Sequence, residues 1–163
     1  VQTASGCGAF VKDYGHLLRN DPAYAQKAAA ISERTLDLVE VLRAEPLEQL
    51  GACTRQTLAF HCPCTLQHAQ KLGGAVESVL TRLGFNLTPV PDSHLCCGSA
   101  GTYSVTQPVL AKQLRDNKMN ALESGNPDVI ATANIGCQTH LASANRTPVK
   151  HWIELIEDAL PPS

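Results

Sequence analysis

Apolar positions recur along this chain at two periods, and the alternation between them predicts the fold. Ala28, Ile31, Leu38 and Leu42 are spaced for one face of a helix. Asp21-Pro22 offers that helix an N-cap and a first-turn proline, and Pro46 stops it after about Ala44. Leu58-Ala59-Phe60 is a short apolar run that reads as a buried strand, leading into His61-Cys62-Pro63-Cys64. A helix is expected over about 66–83, stopped by Gly84, and a second strand over 86–90. Pro108 opens a further helix with Leu110, Leu114 and Leu122 inward, which Gly125 closes. Residues 129–133 form a third strand running into Asn134-Ile135-Gly136-Cys137. Residues 149–151 give a last short strand before a terminal helix through Ile153, Leu155, Ile156 and Ala159. At the start, Val1 to Thr3 reads as the end of a strand and Ser5-Gly6-Cys7-Gly8 as a small-residue turn.

Strands alternating with helices predict an α/β fold, a small parallel β-sheet with flanking helices in Rossmann-like layers. Cys64 and Cys137 then fall just past the C-terminal ends of strands, the edge at which open α/β sheets place their sites. Cys96-Cys97 lie on the longer loop after the second strand, which folds over the same edge. Three separated segments are thus expected to converge.

Composition narrows the function. The 163 residues are 44% hydrophobic and 17% charged with a net charge of −2, an ordinary globular profile. No basic stripe supports nucleic-acid binding, and no apolar run approaches a membrane span. Val1-Gln2-Thr3-Ala4-Ser5 lacks the charged and apolar regions of a leader. Seven cysteines make an odd set for a disulfide framework and point to metal or redox chemistry in a reducing, cytoplasmic setting. With no initial Met, the chain reads as a piece of a longer protein.

The adjacent pair Cys96-Cys97 is the sharpest signal. A disulfide between neighbours closes a strained ring, whereas two adjacent thiolates suit a polynuclear metal centre. Gly98-Ser99-Ala100-Gly101 follow, and Gly98 and Gly101 are read as positions where backbone N–H groups approach an anionic group. Thirty-one residues separate Cys64 from Cys96, thirty-nine separate Cys97 from Cys137, and His140 comes three residues later. Thiolates are soft donors that match iron–sulfide clusters or zinc. Zinc remains open, although the paired short knuckles of most structural zinc sites are absent; so does a chain that holds no metal alone.

This pattern resembles the cysteine-rich CCG domain of heterodisulfide reductase and its relatives. Cys96-Cys97-Gly98-Ser99-Ala100-Gly101-Thr102-Tyr103, Arg115-Asp116-Asn117-Lys118 and Ala133-Asn134-Ile135-Gly136-Cys137-Gln138 are similar to the iron–sulfur subunits of glycolate oxidases, as are Ser5-Gly6-Cys7-Gly8-Ala9 and Val149-Lys150-His151-Trp152. The resemblance implies a [4Fe–4S]-type cluster on Cys64, Cys96, Cys97 and Cys137. It also implies partner subunits carrying flavin and electron flow toward quinone, with association at the inner face of the cell membrane through the complex. It divides the chain into the tail of a preceding CCG repeat (1–20), a connecting helix (21–50) and the CCG domain (51–163). His140 stands where heterodisulfide reductase has a last cysteine, and is a nitrogen-ligand candidate or a helix-end residue. Cys62 is an extra thiol beside Cys64 and a lesser ligand candidate.

Blander readings cover the rest. Cys53 reads as a small hydrophobe, and Cys7 as the last ligand of a preceding repeat if the chain is a piece of a longer protein, otherwise as a structural thiol. His61 and His68 flank Cys64 as surface or core residues, unless they hydrogen-bond cluster sulfur. Arg115 and Lys118 are solvated charges. Against an electron-transfer domain stand a structural zinc domain and a disulfide-cleaving enzyme resembling heterodisulfide reductase.

Overall fold

The computed structural model describes residues 1–52 and 54–161, so Cys53 lies outside the described residues. Four parallel strands build the sheet: β1 (Thr57–His61), β2 (Asn86–Leu87), β3 (Val129–Thr132) and β4 (Val149–His151), in the order β2-β1-β3-β4. The chain is therefore α/β, as its periodicity implies. Leu58, Phe60, Val129 and Ala131 face one core, shared with Val76, Val79 and Leu80 of α5 (Ala75–Arg82) and with Trp152 and Leu155 of α9 (Trp152–Ala159). Ala59 and Ile130 face the other core, against Met119 and Leu122 of α7 (Pro108–Glu123) and Leu141 of α8 (Ile135–Ala142). Burial on both faces explains why β1 and β3 read as unbroken apolar runs.

The strand order places the site. The connection from β1 goes to β2 on one side, while β3 lies on the other, so the order reverses between β1 and β3. Such a switch point leaves a crevice beyond the carboxyl ends of the two strands. In register, Ala59 pairs with Ile130 and His61 with Thr132, which puts His61 and Thr132 side by side at the mouth of that crevice.

Several expected elements are corrected. The single helix expected through Ala44 is two, α3 (Ala25–Arg34) and α4 (Leu38–Leu42). Between them the chain is extended, because Gln2 pairs there: its N–H donates to Leu36 O at 2.8 Å and its carbonyl accepts from Leu38 N at 2.9 Å. Asp37 then opens α4 through a reciprocal cap with Glu40. Asp21 does cap, accepting from Ala23 N and Tyr24 N at 2.8 and 3.0 Å, one turn before α3 begins. Ser5-Gly6-Cys7-Gly8 open a helix, α1 (Ser5–Lys12), which α2 (Tyr14–Leu17) follows. The helix expected over 66–83 is interrupted as well: a π-helical turn (Thr65–Ala69) and Gly73-Gly74 precede α5. Leu110 is 47% exposed, since α7 buries Ala111, Lys118, Met119 and Leu122 instead. A short helix α6 (Tyr103–Thr106) precedes it.

On the far face from the crevice, Glu77 of α5 carries a buried Oε2 with no hydrogen-bond partner. Burial raises its carboxyl above the ordinary value. The neighbouring Cys62 thiol is pushed up to about 12, by burial first and by Glu77 second. The folded chain thus keeps a proton on Glu77 that the unfolded chain releases near the usual carboxylate pKa of about 4.3. Stability therefore falls as pH rises through the folded-state value. Glu77→Gln removes that loss: the variant should match the parent in denaturant midpoint near pH 4 and exceed it at pH 8. A constant gap across that range would refute the assignment.

Candidate metal centre

The crevice opens into a cavity of about 790 Å³ whose walls come from four segments. Pro63 begins the turn after β1 and brings Cys64 to the wall. The loop after β2 brings Cys96 and Cys97, and α8 brings Cys137 as its third residue. Asn134 caps α8 by accepting from Gly136 N at 2.9 Å, which fixes how Cys137 is presented. Cys97 and Cys137 are buried, Cys64 and Cys96 half-buried. The Gly98 N–H donates to Cys96 Sγ at 3.3 Å, and Ser99 Oγ donates to Cys137 Sγ at 3.8 Å.

The four thiols lie close enough to perturb one another. Hydrogen bonds from Cys64 and then Cys97 hold Cys96 far below the ordinary thiol value. Cys97 likewise lowers Cys137, to about 5, with the His61 ring beside it favouring the thiolate. Cys64 rises because it donates to Cys96, and Cys97 because it donates to Cys137 and Cys96; burial adds to both. Four soft sulfur donors converging on one cavity wall fit a thiophilic metal group. His61 reinforces the fit: its ring nitrogen and the sulfurs of Cys97 and Cys137 all lie within 4.8 Å of one another.

Not every expected residue belongs here. Cys62 packs into the opposite core with Leu58 and Phe60, because it continues the alternation of β1 until Pro63 turns the chain. His68 is exposed on the π-helical turn. His140 does line the cavity, but its Nε2 lies 3.2 Å from the Ala111 carbonyl and is engaged there. Gly98 makes its close approach to α7, not to the cavity: a Cβ would stand 2.6 Å from Ala111 O. Gly101 does line the cavity, but no atom lies within 4 Å of an added Cβ, so its φ of 57° is what calls for glycine.

Lys118 corrects the reading of a solvated charge. It is 2% exposed and donates to the carbonyls of Asp92 and Ser93 at 3.0 and 3.2 Å, tying the loop that leads to Cys96-Cys97 onto α7. Burial lowers its pKa, and the charges of Cys97, Cys64 and Cys96 oppose that. Arg115 is half-buried as well, held by Asp116 at 2.8 Å and donating to Ser143 Oγ at 2.9 Å. Cys7 lines the same cavity as the third residue of α1, the position that Cys137 holds in α8. Its helix is tied in by Ser5, whose N–H donates to Ala133 O at 3.0 Å. Thr132 drew no attention from the sequence; only its register with His61 could have marked it. No helix among the described residues is long and apolar enough to cross a membrane.

The family model for the CCG cysteine-rich domain matches residues 58–142, a span that holds Cys64, Cys96, Cys97 and Cys137. The glycolate oxidase iron–sulfur subunit of Escherichia coli (strain K12) is 72% identical over 160 residues, covering 98% of this chain and 39% of that protein. Lactate utilization protein A of Geobacillus thermodenitrificans is 34% identical over 146 residues, covering 84% of this chain and 59% of that protein. The counterpart in Bacillus licheniformis is 31% identical over 142 residues, covering 84% and 58%. The chain thus spans between 39% and 59% of the length of these relatives.

Proposed function

The chain belongs to the CCG cysteine-rich domain family, and we propose that it is an electron-transfer domain holding an iron–sulfur cluster on Cys64, Cys96, Cys97 and Cys137. The observation that carries this is the convergence of four thiols from three segments on one cavity wall at the sheet edge. A cluster bound there supplies one-electron redox chemistry. Adjacent Cys96 and Cys97 suit two irons of one cluster better than two corners of one zinc tetrahedron. The Gly98 N–H and Ser99 hydroxyl, already directed at cysteine sulfur, would stabilise thiolate charge. Lys118 holds a buried positive charge near the same sulfurs and anchors their loop. Burial of Cys97 and Cys137 keeps water from the inner side, while half-buried Cys64 and Cys96 leave an outer side for electron exchange.

The name of the E. coli relative supports a place in a glycolate oxidase complex. There the domain would take electrons from a flavin-bearing partner and pass them toward quinone, through a [4Fe–4S]-type cluster. The matching positions of Cys7 in α1 and Cys137 in α8 support reading residues 1–20 as the end of a preceding repeat.

The test is anaerobic purification and reconstitution with iron and sulfide, followed by metal analysis and optical titration with dithionite. Several irons and sulfides per chain, with a visible band that bleaches on reduction, are expected. One zinc per chain, with no visible band and no redox response, would replace this reading with a structural site.

A further inference from the structure

His61 and Thr132 are both buried and carry polar atoms with nothing to bond. His61 is 1% exposed and Thr132 0%. Neither ring nitrogen of His61 has a hydrogen-bond partner, nor has Thr132 Oγ1. Among the described residues, five buried side-chain N or O atoms are in this position, and three of them belong to these two register neighbours. Buried polar groups nearly always find a partner, so two adjacent exceptions call for a ligand.

Their place says which ligand. Strand alternation puts His61 on the face of Ala59, and Thr132 on the face of Ile130, which is the face that carries Cys97 and Cys137. The His61 ring is within 4.8 Å of both sulfurs. Threonine is a hydroxyl donor and no ligand for iron–sulfide, and a neutral imidazole carries one N–H. Building on the reading above, we propose that His61 and Thr132 form a polar floor beneath the cluster and donate a ring N–H and a hydroxyl to its sulfur atoms. Among the histidines here it is His61 whose ring nitrogen lies within 4.8 Å of the Cys97 and Cys137 sulfurs. Hydrogen bonds to cluster sulfur stabilise the more negative, reduced state and raise the reduction potential. The floor therefore sets how readily the domain accepts an electron.

The test compares midpoint potentials of the reconstituted parent, Thr132→Val, Thr132→Ser, His61→Leu and His61→Gln. Iron content and melting of the metal-free chains are measured alongside. His61→Leu should disfavour reduction about tenfold, which for one electron is about 59 mV. Thr132→Val should shift the potential in the same direction by less. Thr132→Ser and His61→Gln retain a donor and should stay near the parent. In the metal-free chain Thr132→Val should not lower the melting temperature, because its hydroxyl has no partner there to lose. If His61→Leu retains no iron, the Val and Ser variants at 132 decide alone.

Unchanged potentials in Thr132→Val and His61→Leu at full iron content would overturn the proposal. So would a strong hyperfine coupling from ¹⁵N-labelled histidine that disappears in His61→Gln, since His61 would then be a ligand. A parent chain with no cluster at all would end the electron-transfer reading itself, and the floor with it.

Discussion

Replacing Cys97 with serine yields a folded chain that holds no cluster. Cys97 is 2% exposed and stands between Cys96 and Cys137, the two thiols that perturb it most. It also packs with Met119, Leu122, Ile130 and Leu141, so its position is set by the core. Serine is nearly the same size and leaves that packing in place. Its hydroxyl, however, is a hard oxygen that stays protonated at neutral pH and cannot replace a thiolate toward iron. Loss of a partner that merely orients a ligand already weakens metal binding about 10–100-fold. Loss of a ligand from the middle of the set should exceed that and abolish the visible band.

The control is Cys62→Ser. That thiol lies in the opposite core beside Glu77, so cluster content should be kept while stability falls by about 1 kcal/mol, a hydroxyl being costlier to bury than a thiol. Iron and sulfide analysis of the two variants, with urea midpoints of the metal-free chains, separates the roles. Full iron content in Cys97→Ser would refute the ligand assignment.

The sequence made legible what depends on near neighbours. Cys64 and Cys137 could be assigned to the sheet edge because each closely follows an apolar run that could only be a buried strand. The adjacent pair Cys96-Cys97 carried its own chemistry. What stayed hidden depends on alignments between distant segments. His61 and His68 flank Cys64 alike in the sequence, and only the pairing of β1 with β3, which sets His61 beside Thr132, 71 residues away, tells them apart. Lys118 is a surface charge in helical projection, and becomes buried only because the carbonyls of Asp92 and Ser93 come to meet it. The break between α3 and α4 is caused by Gln2, whose pairing with Leu36 and Leu38 no local pattern reveals. Cys62 misled for a simpler reason: two residues from Cys64, it shares that residue's parity, but Pro63 ends the alternation.

Gly98→Ala should damage the centre without touching a ligand. Gly98 has φ of 90°, where an L-residue is strained by about 1–2 kcal/mol. Its added Cβ would stand 2.6 Å from Ala111 O and 3.0 Å from Leu114 Cβ. Overpacking of this kind costs about 1–3 kcal/mol more. One side must yield, and α7 is held by fully buried Met119 and Leu122. The loop is therefore the part that moves. Its movement pulls the Gly98 N–H from Cys96 Sγ, now at 3.3 Å, and shifts Cys97 away from Cys137. It also disturbs the Ala111 carbonyl that engages His140. We expect a stability loss of about 3 kcal/mol together with reduced iron content. Gly101→Ala supplies the comparison, since φ there is 57° but no atom lies within 4 Å of the added Cβ. That variant should show only backbone strain of about 1 kcal/mol and keep its iron. Denaturant midpoints and iron content of the two variants decide whether the loop is fixed by packing on α7 or only by its own conformation; equal effects would rule out the packing account.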